Sequence, residues 1–497
     1  MTVIPHWLEK RAFLTPHRTA IQLIDRTKIT FQQLREDAIC FASQLYRLGI
    51  RKGEHISLLS KNSYEMVVAI HALSYLQAKV ILLNTRLTPS ELRFQYEDSE
   101  STSIIYQDKL AEKVKEILPL TKDKYFSFGT VRKQTPENFE LPIEMDLDDV
   151  FTIMYTSGTT GFPKGVQQTY GNHFWSATSS ALNLGLHEED RWLAALPLFH
   201  VSGLSILVKS VIYGMPVHLH TGFSLEDVQR ELMNEGITIM SVVSVTLESL
   251  VRDLGNERYP SSLRCMLLGG GPAPQSLLEA CKEKGIPVFQ SYGMTETSSQ
   301  IVTLSAEDAL TKLGSAGKAL FPAQLKIIKD KKQANVDEVG EIVVKGPMVT
   351  KGYYKRPDAN ASTFEDGWLH TGDLGYVDRD GYLYVLDRRK DLIISGGENV
   401  YPAEIESALK GMEGVLDAGV VGVKDERWGQ APVAFIVTND KARVTEVFLQ
   451  EYLTKHLARY KLPKAYYFVD SLPRNAAKKL LRRTLMDWVE KGNRRED

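Results

Sequence analysis

The stretch YTSGTTGFPKGV, Tyr155–Val166, decides how this sequence is interpreted. It follows an apolar segment, Phe151–Tyr155, that we expect to form a strand, and it combines several glycines with Lys164. Glycine lets backbone N–H groups approach and surround an anion, and the lysine supplies positive charge. Further donors are the hydroxyl groups of Ser157, Thr159 and Thr160. The stretch therefore predicts a loop that binds phosphate.

The order of residues in this loop differs from that of the P-loop NTPases, in which a Gly-Lys pair is followed by Ser or Thr. Here Gly161-Phe-Pro-Lys164 is followed by Gly165. A kinase-like or GTPase-like loop is disfavoured. An ordinary surface loop stays the alternative unless further motifs support phosphate binding.

Composition and charge narrow the class of protein. A chain of 497 residues with 43% hydrophobic side chains is too long for one core, so we expect at least two domains. Lysine and arginine together number 60 and aspartate and glutamate 62, so no net field favours nucleic acid as a partner. The cysteines Cys40, Cys265 and Cys281 lack metal-ligand spacing and fit reduced thiols in a cytoplasmic protein.

The N-terminal segment and the most apolar segments argue against export and membrane insertion. Pro5, Glu9 and Lys10 interrupt the first apolar residues before they reach signal-peptide length. Met66–Leu83 and Val201–Tyr213 are strongly apolar, but each carries a lysine. We therefore expect a cytoplasmic protein with no membrane span.

The hydrophobic pattern predicts a multidomain α/β protein. Phe31–Leu48 and Ser63–Leu76 have the spacing of helices, and His55–Leu59 and Lys79–Leu83 have the character of strands. After Gly340, short β segments such as GEIVVKG and DGYLYVLD follow one another, which predicts a β-rich subdomain.

From Asp391 onward, strands and helices alternate in a pattern typical of a small α+β domain. The predicted strands are Leu392–Ile394, Val415–Val423 and Val433–Val437, and the predicted helices are Pro402–Leu409 and Val444–Ala458. We expect a large N-terminal domain of β-sheets packed with helices over residues 1–388, and a C-terminal domain over residues 389–497. The hinge between them is expected near Lys390.

Four later segments carry side chains of catalytic type. PLFHVSGL, Pro197–Leu204, places a histidine beside a small-residue turn, and SYGMTET, Ser291–Thr297, combines a tyrosine with hydroxyl groups and a glutamate. TGDLG, Thr371–Gly375, offers a carboxylate in a tight turn, and DRRKDLIISGGENVYPAEIE, Asp387–Glu406, follows it. Any one of these segments alone would be weak evidence.

Together with the phosphate-binding loop, in this order and at these separations, the segments resemble the acyl-adenylate-forming family of acyl-CoA and aryl-CoA ligases, luciferases and peptide-synthetase adenylation domains. The resemblance runs from about Trp7 to about Leu485. It implies a large N-terminal domain that carries a small mobile C-terminal domain. It also implies that a carboxylate attacks the α-phosphorus of ATP, with Mg²⁺, to give an acyl-AMP and pyrophosphate. The thiol of coenzyme A then displaces AMP.

By this resemblance the nucleotide contacts fall on several segments. Tyr292 would stack on the adenine and Thr295 would face the α-phosphate. Asp373 and Arg388 would bind the ribose hydroxyl groups, and Glu296 would bind Mg²⁺, which prefers oxygen ligands. The full nucleotide-binding set is Thr156, Ser157, Gly158, Thr159, Thr160, Lys164, Gly271, Pro272, Ala273, Tyr292, Gly293, Met294, Thr295, Asp373 and Arg388.

The resemblance also assigns the residues of the two chemical steps. The catalytic set is Thr156, His200, Glu296 and Lys479. Lys479 would reach the substrate carboxylate and the α-phosphate, although Ala477 and Lys478 stand where the family has Ser or Thr and then Gly. Rotation at the Lys390 hinge would then exchange Lys479 for a segment lining the coenzyme A tunnel. That segment is Ser395, Gly396, Gly397 and Glu398.

The acyl substrate is indicated by PLFHVSGLSILVKSVIYGM, Pro197–Met215. Ser202 and Lys209 would lie about two turns apart on a helix and could face one pocket. A hydroxyl and an ammonium in an otherwise apolar pocket suggest a second carboxylate on the substrate. Within the family, this segment most resembles ligases of an aromatic dicarboxylate, in which His200 borders the acyl pocket and the coenzyme A entry.

Three functions stay open from the sequence. The first is a CoA ligase for an aromatic dicarboxylate, and the second is a CoA ligase for another aryl or short-chain carboxylic acid. The third is a non-catalytic nucleotide-binding protein, against which the joint presence of the predicted catalytic and phosphate-binding residues argues. The oligomeric state is also open, with a homodimer as one option.

Overall fold

The structure, a computed structural model, describes residues 2–118, 124–156, 163–270, 273–387, 392–438, 444–474 and 480–490. The chain forms two compact units. Unit 1 comprises Met1–Thr85, Gln95–Tyr155 and Gly165–Leu386. Unit 2 comprises Arg86–Phe94, Thr156–Lys164 and Asp387–Asp497.

The strands of the described residues follow in chain order. They are β1 Val3–Pro5, β2 Thr19–Leu23, β3 Lys28–Thr30, β4 His55–Leu59, β5 Lys79–Leu83, β6 Ser103–Tyr106, β7 Lys124–Ser127, β8 Glu144–Asp146, β9 Val150–Thr156, β10 Lys164–Thr169, β11 Trp192–Ala194, β12 Val217–Leu219, β13 Ile239–Val242, β14 Cys265–Leu268, β15 Val288–Met294, β16 Ser299–Leu304, β17 Ser315–Ala319, β18 Gln324–Lys329, β19 Lys332–Gln333, β20 Gly340–Lys345, β21 Gly352–Tyr353, β22 Phe364–Glu365, β23 Trp368–Val377, β24 Leu383–Asp387, β25 Ile393–Ser395, β26 Glu398–Val400, β27 Val415–Asp425, β28 Gly429–Thr438 and β29 Tyr466–Phe468.

The helices alternate with these strands. They are α1 Trp7–Leu14, α2 Phe31–Arg47, α3 Tyr64–Tyr75, α4 Pro89–Asp98, α5 Ala111–Ile117, α6 Phe128–Arg132, α7 Tyr170–Leu184, α8 Val201–Tyr213, α9 Leu225–Asn234, α10 Ser244–Asp253, α11 Gln275–Glu283, α12 Pro357–Thr363, α13 Pro402–Lys410, α14 Glu446–His456 and α15 Arg482–Glu490. Within the part of the chain that the structure describes, no helix is long and apolar enough to cross a membrane.

Unit 1 is built on two large sheets. The smaller, 7-stranded sheet has the order β21-β10-β9-β5-β4-β6-β7, and β4, β5, β6, β7 and β9 run parallel within it. In the 15-stranded sheet, β2, β12, β11, β13, β14 and β15 run parallel. The β-rich segment extends this sheet with antiparallel pairings, through β16–β20 and β22–β24 but not β21. The parallel strands need crossover helices, which cover the faces of the sheets. The predicted α/β fold class is confirmed.

Local sequence accounts for the helices that were predicted in this unit. α2 begins with a capping box, in which the Thr30 hydroxyl oxygen accepts a hydrogen bond from the Gln33 N–H and Gln33 Oε1 accepts one from the Thr30 N–H. α3 begins after Ser63, whose hydroxyl accepts from the backbone of Met66. α2, α3, α7 and α8 contribute to one hydrophobic core together with strands of both sheets. The predicted strands at β4 and β5 are confirmed with the same bounds.

The sheet of unit 2 is covered on both faces. Along β27, Val420 packs into a core with α13 and α14, and the next residue, Val421, packs into a second core with Leu485 of α15. This follows the alternation of side chains along a strand. β27 and β28 are longer than the sequence predicted because they pair as one hairpin as far as Asp425 and Gly429.

A buried ion cluster stabilises unit 2. The Lys461 ammonium lies 2.6 Å from Glu91 Oε1 and 2.7 Å from Glu404 Oε1, and its side chain is 5% exposed. Burial disfavours this ammonium, but the nearby Glu404, Tyr460 and Glu91 outweigh that effect and raise the pKa of Lys461. Burial is also the main cause that raises the pKa of Glu404. The cluster is therefore stable only while all its charges are present.

Replacing the central cation of this cluster is expected to destabilise the protein. In Lys461→Met the carboxylates of Glu91 and Glu404 would face one another without a cation, which costs about 3–5 kcal/mol for a buried pair. Thermal unfolding followed by calorimetry should show a markedly lower midpoint for the transition that includes unit 2.

The matched control is Lys464→Met, because Lys464 pairs with Asp425 at 2.8 Å but is 64% exposed. Exposed pairs contribute about 0–1 kcal/mol, so this midpoint should barely move. Adding Glu404→Gln to Lys461→Met should restore part of the loss. Equal midpoints for the two single variants would contradict the importance of the cluster.

Candidate active site

The topology of unit 1 brings predicted residues together at one sheet edge. Carboxyl ends of parallel strands meet at the same edge, and open α/β sheets bind ligands there. β11 leads into the segment that ends at His200, β14 leads toward Ala273, and β15 carries Tyr292, Gly293 and Met294 at its end. Segments that lie far apart in the sequence therefore share this edge.

Tyr292 and Asp373 are in direct contact. The Tyr292 hydroxyl donates a hydrogen bond to Asp373 Oδ2 at 2.7 Å, and both side chains are buried. Tyr292 belongs to β15 and Asp373 to β23, so the bond connects the parallel and antiparallel parts of the sheet. A carboxylate held in this way is a preorganised acceptor for ligand hydroxyl groups.

Asp373 does not lie in the tight turn that the sequence predicted. Thr371–Asp373 are part of β23, and the register against β20 shifts at this point, so that β23 carries extra residues. Gly372 adopts φ +74°, a conformation that glycine permits. The segment is a β-bulge, and bulges share the glycine-rich composition of turns.

Glu296 lies on a short 3₁₀ turn, Thr295–Thr297, directly after β15. It is buried, and its Oε1 accepts a hydrogen bond from the Tyr353 hydroxyl at 2.8 Å. Its Oε2 makes no hydrogen bond to the described residues. The Thr295 carbonyl accepts a bond from Gln168 Nε2 at 2.7 Å. Sequence analysis missed Tyr353 and Gln168 because both lie outside the motif they support.

His200 begins α8. Its backbone carbonyl accepts hydrogen bonds from the N–H groups of Gly203 and Leu204. The small residues after it, expected to form a turn, are therefore the first turn of the helix. A Cβ on Gly203 would overlap the carbonyl oxygen of Pro197, which explains the glycine.

Asn62 holds the segment before His200 and was not predicted. Its side-chain NH₂ donates to the Leu196 carbonyl at 2.9 Å and to the His220 carbonyl at 3.1 Å. Its Oδ1 accepts from the Leu198 N–H at 2.8 Å. One buried amide thereby fixes the path of the chain from β11 into α8.

Ser202 and Lys209 lie on the same face of α8, as predicted, but they differ in exposure. Ser202 is exposed, whereas Lys209 is 1% exposed. Lys209 is therefore a buried cation and not a solvent-facing helix lysine. The sequence indicated the lysine but could not show its burial.

The surroundings of the Lys209 ammonium are mainly apolar. Its Nζ lies 4.7 Å from the centroid of the Trp192 ring, and it makes no hydrogen bond or ion pair with any described residue. Burial lowers the pKa of Lys209 to about 8, against a smaller opposing effect of Cys265. A buried ammonium without an anion is costly, and an anionic ligand would relieve that cost. Sequence analysis missed Trp192, which reads there as an ordinary core residue.

The segment predicted to line a coenzyme A tunnel forms a hairpin in unit 2. β25 ends at Ser395 and β26 begins at Glu398, and between them Gly396 and Gly397 have φ +57° and +83°. Glu398 is buried, and its Oε1 lies 2.9 Å from the Arg86 guanidinium. The segment is thus an ordered turn with a paired carboxylate.

Several predicted residues lie outside the described residues. Thr156 ends β9 and Lys164 begins β10, so the structure describes both ends of the loop that is predicted to bind phosphate. The predicted residues that lie outside the described ranges are Ser157, Gly158, Thr159, Thr160, Gly271, Pro272, Arg388, Lys390 and Lys479. Their roles stay predictions.

The chain matches two family models. The AMP-binding enzyme model matches residues 8–354, and the model for the AMP-binding enzyme C-terminal domain matches residues 404–479. A curated relative, the 2-succinylbenzoate–CoA ligase of Geobacillus kaustophilus (strain HTA426), is 55% identical over 491 residues, 99% of each chain.

Solved structures of o-succinylbenzoate CoA synthetase from Bacillus subtilis, at 50% identity, are also similar. A double mutant with the product analogue OSB-NCoA has a TM-score of 0.94 and covers 98% of this chain and 99% of its own. A complex with the acyl-adenylate intermediate OSB-AMP has a TM-score of 0.77 and covers 98% of each chain. With family models over both parts of the sequence and this identity over almost all of it, the chain belongs to the AMP-binding enzyme family.

Proposed function

We propose that this chain is an ATP-dependent ligase that activates o-succinylbenzoate as an acyl-AMP and transfers the acyl group to coenzyme A. The products are o-succinylbenzoyl-CoA, AMP and pyrophosphate, and the reaction belongs to menaquinone biosynthesis. A relative named for this reaction at 55% identity and structures with OSB-AMP and OSB-NCoA at 50% identity support it.

One structural observation carries the choice of substrate. Lys209 is a buried ammonium beside the Trp192 ring, and it makes no ion pair with any described residue. A fatty acid or a simple aryl acid would leave that charge unsatisfied. The aromatic carboxylate of o-succinylbenzoate would pair with it, assisted by Ser202, and the succinyl carboxylate would be the group that is activated.

In the first step an oxygen of the succinyl carboxylate attacks the α-phosphorus, and pyrophosphate leaves. Negative charge gathers there, so fixed donors and cations supply most of the stabilisation. The loop from Thr156 to Lys164 would hold the β- and γ-phosphates, and Lys479 would contact the attacking carboxylate and the α-phosphate. In the second step the coenzyme A thiol attacks the carbonyl carbon, and AMP leaves.

Glu296 fits a role in holding Mg²⁺. Its Oε1 is fixed by Tyr353, and its Oε2 makes no hydrogen bond to the described residues. Mg²⁺ is commonly held by one or two carboxylates together with substrate phosphates and water. The ion would neutralise charge on the phosphates during adenylation.

The remaining nucleotide contacts follow the same proposal. Tyr292 would stack on the adenine, and Thr295 would face the α-phosphate. Asp373 and Arg388 would bind the ribose hydroxyl groups. The buried bond between Tyr292 and Asp373 supports this assignment because it would hold the adenine and ribose contacts in one arrangement. Gly271, Pro272 and Ala273, with Gly293 and Met294, would line the adenine.

Adenylation and thioester formation need different residues around the same active site. Rotation of residues 389–497 about Lys390 would withdraw Lys479 and bring Ser395–Glu398 toward the pantetheine tunnel, while His200 borders the coenzyme A entry. The start of the last part of unit 2 at Asp387 supports a boundary there.

The proposed enzyme works in the cytoplasm and takes no nucleic acid, which the near balance of acidic and basic residues supports. A homodimer is the assembly hypothesis, and light scattering would measure it. A ligase for another aryl or short-chain acid is the alternative function. A second alternative function is that of a non-catalytic nucleotide-binding protein.

The function is tested by pyrophosphate release with ATP and Mg²⁺ and an acid panel of o-succinylbenzoate, benzoate, 4-coumarate and octanoate. Only o-succinylbenzoate should give release, and added coenzyme A should yield its thioester.

Lys209→Ala should lower kcat/KM for o-succinylbenzoate roughly a hundredfold, since losing one partner of a buried charge pair costs about 2–5 kcal/mol.

Lys326→Ala is the matched control, because Lys326 also lies over a tryptophan, Trp368, at 4.3 Å but is only partly buried. It should keep full activity. Release with a monocarboxylate would favour the alternative ligase and remove the role of Lys209. The absence of pyrophosphate release with every acid would favour the non-catalytic nucleotide-binding protein.

Lys209→Met should stabilise the protein at neutral pH. The folded-state pKa of about 8 lies below the ordinary 10.5, so the penalty is fully present below pH 8 and disappears as pH rises toward 10.5. This shift corresponds to about 3 kcal/mol. The difference in thermal midpoint between Lys209→Met and wild type should be largest at pH 7 and shrink toward pH 10. A difference independent of pH would contradict a charged Lys209.

Tyr292→Phe should weaken ATP binding. The change keeps the ring and removes the donor to Asp373, which should raise KM for ATP roughly tenfold. Tyr382→Phe removes a similar bond, from the Tyr382 hydroxyl to Asp308 at 2.9 Å, and should leave KM for ATP unchanged. Equal effects of the two variants would argue against a nucleotide role for the Tyr292 and Asp373 pair.

A further inference from the structure

Trp192 is one of the most firmly held side chains in unit 1. It is the first residue of β11, is 1% exposed, and is among the largest fully buried side chains. Its indole N–H donates a hydrogen bond to Ser241 Oγ at 3.1 Å, and Ser241 lies on the neighbouring strand β13. Two adjacent strands therefore fix both the position and the orientation of the ring.

The ring is also the polarisable surface against which Lys209 lies. Its centroid is 4.7 Å from Nζ, within the range of a cation–π interaction. A lysine side chain is a point charge on a flexible stem with many rotamers. Nζ makes no hydrogen bond or ion pair with the described residues, so contact with the ring can favour one of these rotamers.

We propose that Trp192 is a positioning residue of the acyl site: its ring holds the Lys209 ammonium where the second carboxylate of the substrate binds, and Ser241 fixes the ring. This inference rests on the function proposed above. It predicts that Trp192 and Ser241 act on acid recognition through Lys209 and leave ATP recognition unchanged.

Lys209 is the group near α8 whose titration is expected to change the pH dependence of acid recognition. Other charged and titratable groups lie on elements around α8. These groups are Glu9, Lys10 and Arg11 on α1, Tyr170 and His173 on α7, and His218 on β12, together with Cys265, which acts on Lys209 from β14. Arg11 bonds to the carbonyls of Val211 and Ile212, and His218 pairs with Glu231. Burial lowers the pKa of His173 to about 3 and raises that of Cys265 to about 12, so neither changes charge near pH 8.

The experiment measures kcat/KM for o-succinylbenzoate between pH 6 and 9.5 in the adenylation step alone, by pyrophosphate release without coenzyme A. Omitting coenzyme A removes the titration of its thiol. In wild type kcat/KM should fall above about pH 8 as Lys209 loses its proton. Removing the ring destabilises the ammonium, so in Trp192→Leu this fall should begin roughly one pH unit lower.

The other variants separate the ring from the fold. Trp192→Leu should also raise KM for o-succinylbenzoate roughly tenfold, with KM for ATP unchanged. Trp192→Phe keeps a weaker aromatic face and should give a smaller shift in the same direction. Ser241→Ala keeps the whole ring, removes its anchor, and should raise KM for the acid. Trp368→Leu, at the partly exposed Lys326 pair, should leave the profile unchanged.

Two results would overturn different claims. In the first, Lys209→Met abolishes the fall in kcat/KM above pH 8, but Trp192→Leu, Trp192→Phe and Ser241→Ala all keep the wild-type pH profile and KM. Trp192 then does not position the lysine, and the proposed function stands. If Lys209→Met keeps both the profile and full activity with o-succinylbenzoate, the substrate role of Lys209 itself is wrong. Circular dichroism establishes folding of each variant, and Ser241→Ala tests the idea even where Trp192→Leu fails to fold.

Discussion

The parallel run of β2, β12, β11, β13, β14 and β15 is the constraint on which the candidate site of unit 1 depends. Because these strands share a direction, the segments that leave their carboxyl ends meet at one edge of the sheet. Asn62 then fixes the segment between β11 and α8, and the Tyr292 bond to Asp373 ties the end of β15 to β23. The backbone direction thus places the segments, and a few buried polar groups fix them.

Two buried lysines show how this protein treats charge differently in different places. Lys461 lies between Glu91 and Glu404, and its charge serves the stability of unit 2. Lys209 has an aromatic ring and a thiol nearby and no carboxylate among the described residues. The Lys461 ammonium is paired with carboxylates of the protein, whereas the Lys209 ammonium has no ion pair with a described residue. The absence of an internal anion is what makes Lys209 a candidate binding group.

Much of the fold could be predicted because it is local. α2, α3, β4 and β5 follow from hydrophobic spacing and from capping residues within a few positions. Contacts between distant segments could not be predicted this way. Trp192 and Lys209 meet only because β11 and α8 pack together, and the sequence of neither element shows it. The bulge at Thr371–Asp373 was mistaken for a turn because glycine with a positive φ serves both.

The helix α8 shows why a local violation of pattern is informative. Lys209 is the charged residue of a helix whose other residues are apolar side chains, serines and a glycine, and it lies at a fully buried position. A methionine of similar length would fill that space without the cost of burying a charge. At most core positions the residue type is the one that favours stability. A buried residue that lowers stability therefore indicates a requirement other than stability. Lys209 lies beside a buried indole and has no ion-pair partner among the described residues, and under the function proposed above that requirement would be recognition of a substrate carboxylate.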